Sequence, residues 1–216
     1  MKVVLCGPPH SGKSCLREGL KQAIRRIPGA PYPLILTACP DGEGSWYSEA
    51  VRHNPELARQ LKAAYKAKFT LEFAAVRARW VRDASESLTI VDVGGKIDEK
   101  NELIMSGATH AVILAGDMNK VPAWEQFCSQ LNLKIIAVIY SDYHGVSDSV
   151  SEARRSPALL LSADRIQFTV PILQGSIHYL ERGQDVSMRP MVQALAHLLI
   201  HLSTQNSPND KTHRAI

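Results

Sequence analysis

Short apolar runs rich in β-branched residues recur along the first two thirds of the chain: Lys2–Cys6, Tyr32–Ala38, Leu88–Val93, Thr109–Ala115 and Lys134–Tyr140. They are nearly continuous instead of alternating, which is the pattern of strands buried on both faces in a parallel sheet. The stretches between them carry helical periodicity. Lys13–Arg26 is closed by Pro28 and Gly29, Pro55–Lys66 puts Leu57, Leu61, Ala64 and Tyr65 on one face, and Leu71–Ser85 follows a Phe69–Thr70 break in which Thr70 is placed to cap it. Glu99–Ser106 and Pro122–Leu131 complete the series. This order predicts an α/β fold: a doubly wound, mostly parallel five-stranded sheet with helices on both faces and right-handed crossovers.

After Tyr140 the pattern loosens. "SDYHGVSDSVSEARRS" is polar, "PALLLSADRIQFTVPIL" predicts two short strands around a Ser-Ala-Asp-Arg turn, and Pro190–Leu202 predicts an amphipathic helix. On that helix Met191, Val192, Leu195, Leu198, Leu199 and Leu202 share one arc, with His197 and His201 opposite it as surface residues instead of a metal pair. The expectation is a single domain over residues 1–203, ending in a small strand and helix extension, and a flexible tail over 204–216.

A chain of 216 residues at 45% hydrophobic can bury one sizeable core. The formal charge of +4 is too mild for a dedicated nucleic-acid binder, while a pI near 8.9 keeps anionic partners open. Cys6, Cys15, Cys39 and Cys128 show no C-x-x-C spacing, and three fall in or beside predicted core elements, which fits reduced thiols. No apolar run approaches the roughly 18 residues of a membrane helix. Lys2 is followed at once by a strand and a glycine loop, leaving no room for a signal peptide. A cytoplasmic protein with no membrane association is expected.

Gly7-Pro8-Pro9-His10-Ser11-Gly12-Lys13-Ser14 matches G-x-x-x-x-G-K-[ST], with a predicted strand before it and a helix after it. In such a loop the glycines let successive N–H groups turn inward around a phosphate, and the helix N-terminus adds partial positive charge. Lys13 would bridge the β- and γ-phosphates, and Ser14 would offer its hydroxyl to Mg²⁺. The expected nucleotide contacts run through Gly7, Pro8, Pro9, His10, Ser11, Gly12, Lys13, Ser14 and Cys15. The complementary carboxylate is Asp92 of "LTIVDVGGK", at the end of a hydrophobic strand, with Gly94 and Gly95 keeping backbone close to a γ-phosphate. Ser14 and Asp92 are the expected metal ligands.

Val93 follows Asp92 where ring-forming and motor ATPases usually place a water-activating Glu, and no multi-helix lid is visible after the predicted sheet. Asn119-Lys120-Val121-Pro122 follows the fourth predicted strand, not the fifth, and ends in Pro where a guanine-reading motif needs Asp, so ATP is favoured by default.

Ligands of open α/β sheets sit beyond the carboxyl ends of the strands. "CPDGEGSWY" follows the second strand there; Asp41 or Glu43 is a candidate general base for phosphoryl transfer, or only shapes a turn, and Trp46 either stacks an acceptor base or anchors the loop. Arg59, Lys62, Lys66, Lys68, Arg77, Arg79 and Arg82 form a basic segment that would clamp an anionic acceptor or face solvent. Arg154 and Arg155 are a second such pair.

"GPPHSGKS", "ACPDGEGSW" and "VDVGGK", in that order, resemble the P-loop domain that accompanies, or is fused behind, CRISPR-associated ring nucleases that cleave cyclic oligoadenylate. The likeness is clearest over about Met1–Tyr140. It implies an auxiliary nucleotide-dependent role in type III CRISPR signalling, with the nuclease chemistry carried by a separate small domain. Combined with the residues, the expectation is an Mg-ATP-dependent phosphotransferase or NTPase in which Lys13, Asp41 and Asp92 are catalytic, an Arg from the second or third helix closes the site, and a ring nuclease, cyclic oligoadenylate or another nucleotide is a partner. The alternatives are a nucleotide-dependent switch with little turnover and a cyclic-oligoadenylate or RNA binder. A homo-oligomer is also open.

Overall fold

Val3, Val4, Leu5 and Cys6 are wholly buried, because strand β1 (Lys2–Cys6) lies inside a sheet covered on both faces. The structure, a computed structural model, describes residues 1–40, 54, 56, 60, 68–153 and 172–205. Among them β2 (Leu34–Thr37), β3 (Thr89–Asp92), β4 (His110–Ala115), β5 (Lys134–Asp142), β6 (Ser149–Ala153) and β7 (Ile172–His178) join β1 in one sheet of seven strands, in the order β2-β3-β1-β4-β5-β7-β6. Every neighbouring pair is parallel except β6 and β7.

The sheet therefore has two strands more than the sequence predicts. The C-terminal extension does not stand apart; its strands continue the sheet beyond β5. β6 reads Ser-Val-Ser-Glu-Ala, inside a stretch expected to be polar loop. It lies at the sheet edge and pairs with β7 alone among the described strands, so no apolar run marks it. Of the two strands expected around Ser-Ala-Asp-Arg, only Ile172 and Leu173 fall among the described residues, where they open β7.

Side chains of β1 alternate between two cores, as the two-residue period of a strand requires. Val3 and Leu5 pack with Leu16, Leu20 and Ile24 of helix α1 (Lys13–Arg26) and with Leu195 and Leu199. Val4 and Cys6 face Ala74 and Val81 of α2 (Leu71–Asp83), Ile104 and Met105 of α3 (Glu99–Met105), and Trp124 and Phe127 of α4 (Val121–Gln130). The predicted cap forms, with Thr70 Oγ1 accepting from Phe73 N at 3.2 Å, and Asp98, not singled out in the sequence, caps α3 by accepting from Asn101 N at 3.0 Å through Oδ1. Leu195 and Leu199 belong to α5 (Pro190–Gln205), which leaves His197 and His201 exposed as expected and runs past the predicted helix end. Of the expected 55–66 helix, only Glu56 and Gln60 are described, both helical. No helix among the described residues is long and apolar enough to cross a membrane.

Candidate functional site

From the end of β1 the chain turns through Gly7–Gly12 into α1. Gly7 has φ 130°, and a Cβ there would lie 1.9 Å from the Leu114 carbonyl oxygen of β4. Gly12 has φ 83°, and its missing Cβ leaves room for Leu180, whose Cδ1 would stand 2.6 Å away. Both glycines are thus required by backbone conformation and by close approach. Ser11 Oγ donates to Pro8 O at 2.9 Å. The Lys13 side chain folds into the loop, where Nζ donates to Gly7 O at 2.9 Å and Pro8 O at 2.8 Å. The first turn of α1 carries no acidic residue, and Gly12 provides no side-chain cap, so the amide groups at this end retain their partial positive charge.

β3 pairs directly with β1, bringing Asp92 level with Leu5. Asp92 is 3% exposed. Its Oδ2 accepts from Ser14 Oγ at 2.8 Å and lies 3.5 Å from Arg17 Nη1, which also donates to Thr37 Oγ1 of β2 at 2.9 Å. Burial pushes the Asp92 carboxyl above the usual carboxylate range, against the opposing pull of the Arg17 guanidinium, the Ser14 hydrogen bond, Lys13 and Arg182. Gly94 N donates to Oδ1 of buried Asn101 at 3.1 Å, and Asn101 Nδ2 returns a bond to Lys96 O at 2.6 Å. A Cβ on Gly95 would meet Pro9 N at 2.5 Å. The two glycine-bearing loops therefore touch backbone to backbone.

Between them opens a cleft of about 460 Å³, lined by Pro9–Cys15 and Asp92–Lys96 with Cys39, Pro40, Phe69, Asp98, Lys100, Asn101, Leu180 and Arg182. Lys100 Nζ donates to Phe69 O at 2.9 Å and stands 5.2 Å from the Phe69 ring centroid. Cys15 and Cys39 line the cleft, half-buried, while Cys6 and Cys128 are buried with Sγ atoms 3.7 Å apart; none of the four forms a disulfide.

Of the residues picked out in the sequence, Pro9–Cys15, Asp92, Gly94 and Gly95 line this one cleft; Gly7 and Pro8 are buried and do not line it, but their carbonyls accept from Lys13 Nζ. The arginines of α2 do not join them. Ala74, Ala78 and Val81 are the buried positions of α2; Arg79 and Arg82 point to solvent, and Arg77 stacks 4.8 Å from the Phe73 centroid and 4.2 Å from the Trp80 ring. The cationic lining comes instead from Lys13, Lys96, Lys100 and Arg182. Asn119 and Lys120 sit exposed in a short 3-10 turn, Met118–Lys120. Asp41, Glu43, Trp46, Arg59, Lys62, Lys66, Arg154 and Arg155 lie outside the described residues.

Sequence reasoning passes over Arg17, Asn101, Leu180 and Arg182. Arg17 was open to discovery, since it sits three residues beyond Ser14 on the same helix face. Arg182 carries no local signal. It reaches the site because β7, far along the chain, runs parallel to β1 within the same sheet.

Among the described residues, no three or more His, Cys, Asp or Glu side chains form a metal-binding group. Ser14 and Asp92 offer two hard oxygens at 2.8 Å, which fits Mg²⁺, a cation that takes few protein ligands and completes its shell with phosphate and water. No protein-family model matches the chain, and a search of the curated proteins finds no match either.

Proposed function

We propose that this chain is a P-loop nucleotide-binding enzyme that takes Mg-ATP and transfers or hydrolyses its γ-phosphate. The observation that carries this reading is the 2.8 Å bond between Ser14, at the mouth of the loop, and Asp92, on the strand beside it. The inward-turned loop and the uncompensated N-terminus of α1 hold the phosphates. Lys13 supplies positive charge where the transferring group becomes more negative, and Arg182 adds to it. Mg²⁺, held by Ser14 and Asp92, would neutralise part of the triphosphate charge. Asp41, two residues beyond Cys39 at the cleft wall, is the proposed base for an acceptor hydroxyl. The resemblance in motif order supports an accessory role in cyclic-oligoadenylate signalling beside a ring nuclease.

A second reading, a slow nucleotide-dependent switch, is favoured by Val93, which is 2% exposed and puts a buried methyl-bearing side chain where a water-activating carboxylate would otherwise follow Asp92. Incubation with Mg-ATP and a panel of nucleotides, cyclic oligoadenylates included, followed by mass spectrometry, separates the two. The enzyme reading expects ADP together with either an acceptor heavier by one phosphoryl group or inorganic phosphate, with none of these formed by Lys13→Ala. Turnover at the wild-type rate in Lys13→Ala would refute the loop assignment. A switch gives little ADP but an ATP-dependent change in affinity for a ring nuclease. If the enzyme reading holds, Asp41→Asn binds ATP normally and transfers about 10²- to 10⁴-fold more slowly.

A further inference from the structure

The phosphate cleft accounts for only one end of a nucleotide. At the carboxyl ends of β5 and β7 the chain places an aromatic group. Tyr143 follows β5 and Tyr179 follows β7, with ring centroids 5.2 Å apart and planes inclined at 41°, and the His144 ring meets Tyr143 edge-on at 5.4 Å. Tyr143 is 54% exposed, so its ring is accessible from solvent.

Tyr179 has φ 39°, a left-handed conformation that bulky residues rarely adopt, and the surroundings hold it there. Its N–H donates to Asp142 O at 2.9 Å, and its carbonyl accepts from Arg189 Nη2 at 3.2 Å. The end of β5 is thereby tied to the start of the segment after β7, and the Tyr179 side chain is hydrogen-bonded to Tyr143 and Glu181.

This group stands beside the phosphate loop. β4 pairs with β1, β5 with β4 and β7 with β5, all in parallel, so their carboxyl ends share one edge of the sheet. Leu180, the residue after Tyr179, packs into the space that Gly12 leaves open, and Arg182 lines the cleft. Three residues thus carry the chain from the aromatic group to the phosphate site.

We propose that Tyr143 and Tyr179 form the platform on which the purine base of the bound nucleotide stacks. The inference rests on the nucleotide reading above and adds the residues that hold the base. Stacking on an aromatic side chain strengthens binding by about 5- to 100-fold per base.

Affinities of Mg-ATP and of Mg-tripolyphosphate for the wild-type protein, Tyr143→Ala and Tyr143→Phe, measured by titration calorimetry, test it. Tripolyphosphate carries the phosphates without a base. Expected is a loss of about 5- to 100-fold in ATP affinity for Tyr143→Ala, an unchanged affinity for tripolyphosphate, and near-normal ATP binding by Tyr143→Phe. Unchanged ATP affinity in Tyr143→Ala overturns the platform, as would be the case for an aromatic pair that instead meets a protein partner. Equal losses for both ligands also overturn it, because the effect then acts through the loop. If the wild-type protein binds neither ligand, the nucleotide reading itself fails.

Discussion

Ser14 and Asp92, 78 positions apart in sequence, are joined by a 2.8 Å hydrogen bond. The bond spans the first turn of α1 and the end of β3, and it exists because β3 is the immediate neighbour of β1 in the sheet. Ser14→Ala and Asp92→Asn are each expected to remove the Mg²⁺ dependence of ATP binding, with the double variant no weaker than the weaker single one. Groups acting on one ion do not add. Titrations of ATP with and without Mg²⁺ on the three variants check this, and additive losses would mean that the two side chains serve separate ends.

Gly7 and Gly95 meet backbone in different ways, and their alanine variants should differ accordingly. At Gly7 the added Cβ lies 1.9 Å from Leu114 O with φ at 130°, so the junction of β1 and β4 must move. Gly7→Ala is expected to cost at least about 1–3 kcal/mol of stability. At Gly95 the conflict is with Pro9 of the facing loop. Gly95→Ala should cost less stability than Gly7→Ala, because the loop bearing Pro9 can shift, yet bind ATP at least about 10-fold more weakly, because that shift displaces the phosphate-facing groups. Thermal melts beside binding titrations distinguish the two.

Much of this arrangement is legible in the sequence because the informative strands are buried on both faces. Val3–Cys6, Ile90–Asp92 and Ala111–Ala115 have no freedom to alternate, and the glycine-lysine-serine loop announces itself by local geometry alone. β6 escapes because an edge strand of Ser-Val-Ser-Glu-Ala satisfies its backbone without an apolar run. β7 is legible only at its opening residues Ile172 and Leu173, because Gln174, Gly175 and Ser176 interrupt the apolar run; Gly175 is needed where Ser149 O approaches within 2.0 Å of a would-be Cβ. Asn101 and Arg182 belong to the site through sheet order and loop packing, which local spacing does not encode. The expected arginines of α2 show the converse: a basic run reveals charge but not the face it occupies.

Arg17 links Thr37 to Asp92 and, of the groups that counter the effect of burial on Asp92, has the largest influence. Asp92 must be ionised to bind a cation. Removing the guanidinium leaves burial less opposed and moves the carboxyl still higher. Arg17→Met is therefore expected to shift the acid limb of Mg-ATP binding to higher pH, with Arg17→Lys in between. A pH profile of affinity for the three proteins checks the order; superimposed profiles would show that Arg17 only packs.

His110, at the start of β4, is held neutral. Burial, then Lys134 and the chain N-terminus, lower its pKa from 6.5 to about 4. Between these values the unfolded chain binds the proton and the folded one does not, so stability falls as pH drops from about 6.5 towards 4 and is fully present above that window. Urea midpoints across this range should decline less for His110→Gln than for the wild type. Parallel declines would assign the acid sensitivity to other groups.

Leu180 in the space beside Gly12 makes the far end of the chain a flank of its beginning. A fragment trimmed after β5 would retain both glycine-bearing signatures and still lose the buttress on which the first of them leans. The recognisable stretch near the N-terminus is accordingly not a transplantable cassette, and attempts to shrink or graft it must carry residues 172–187 along.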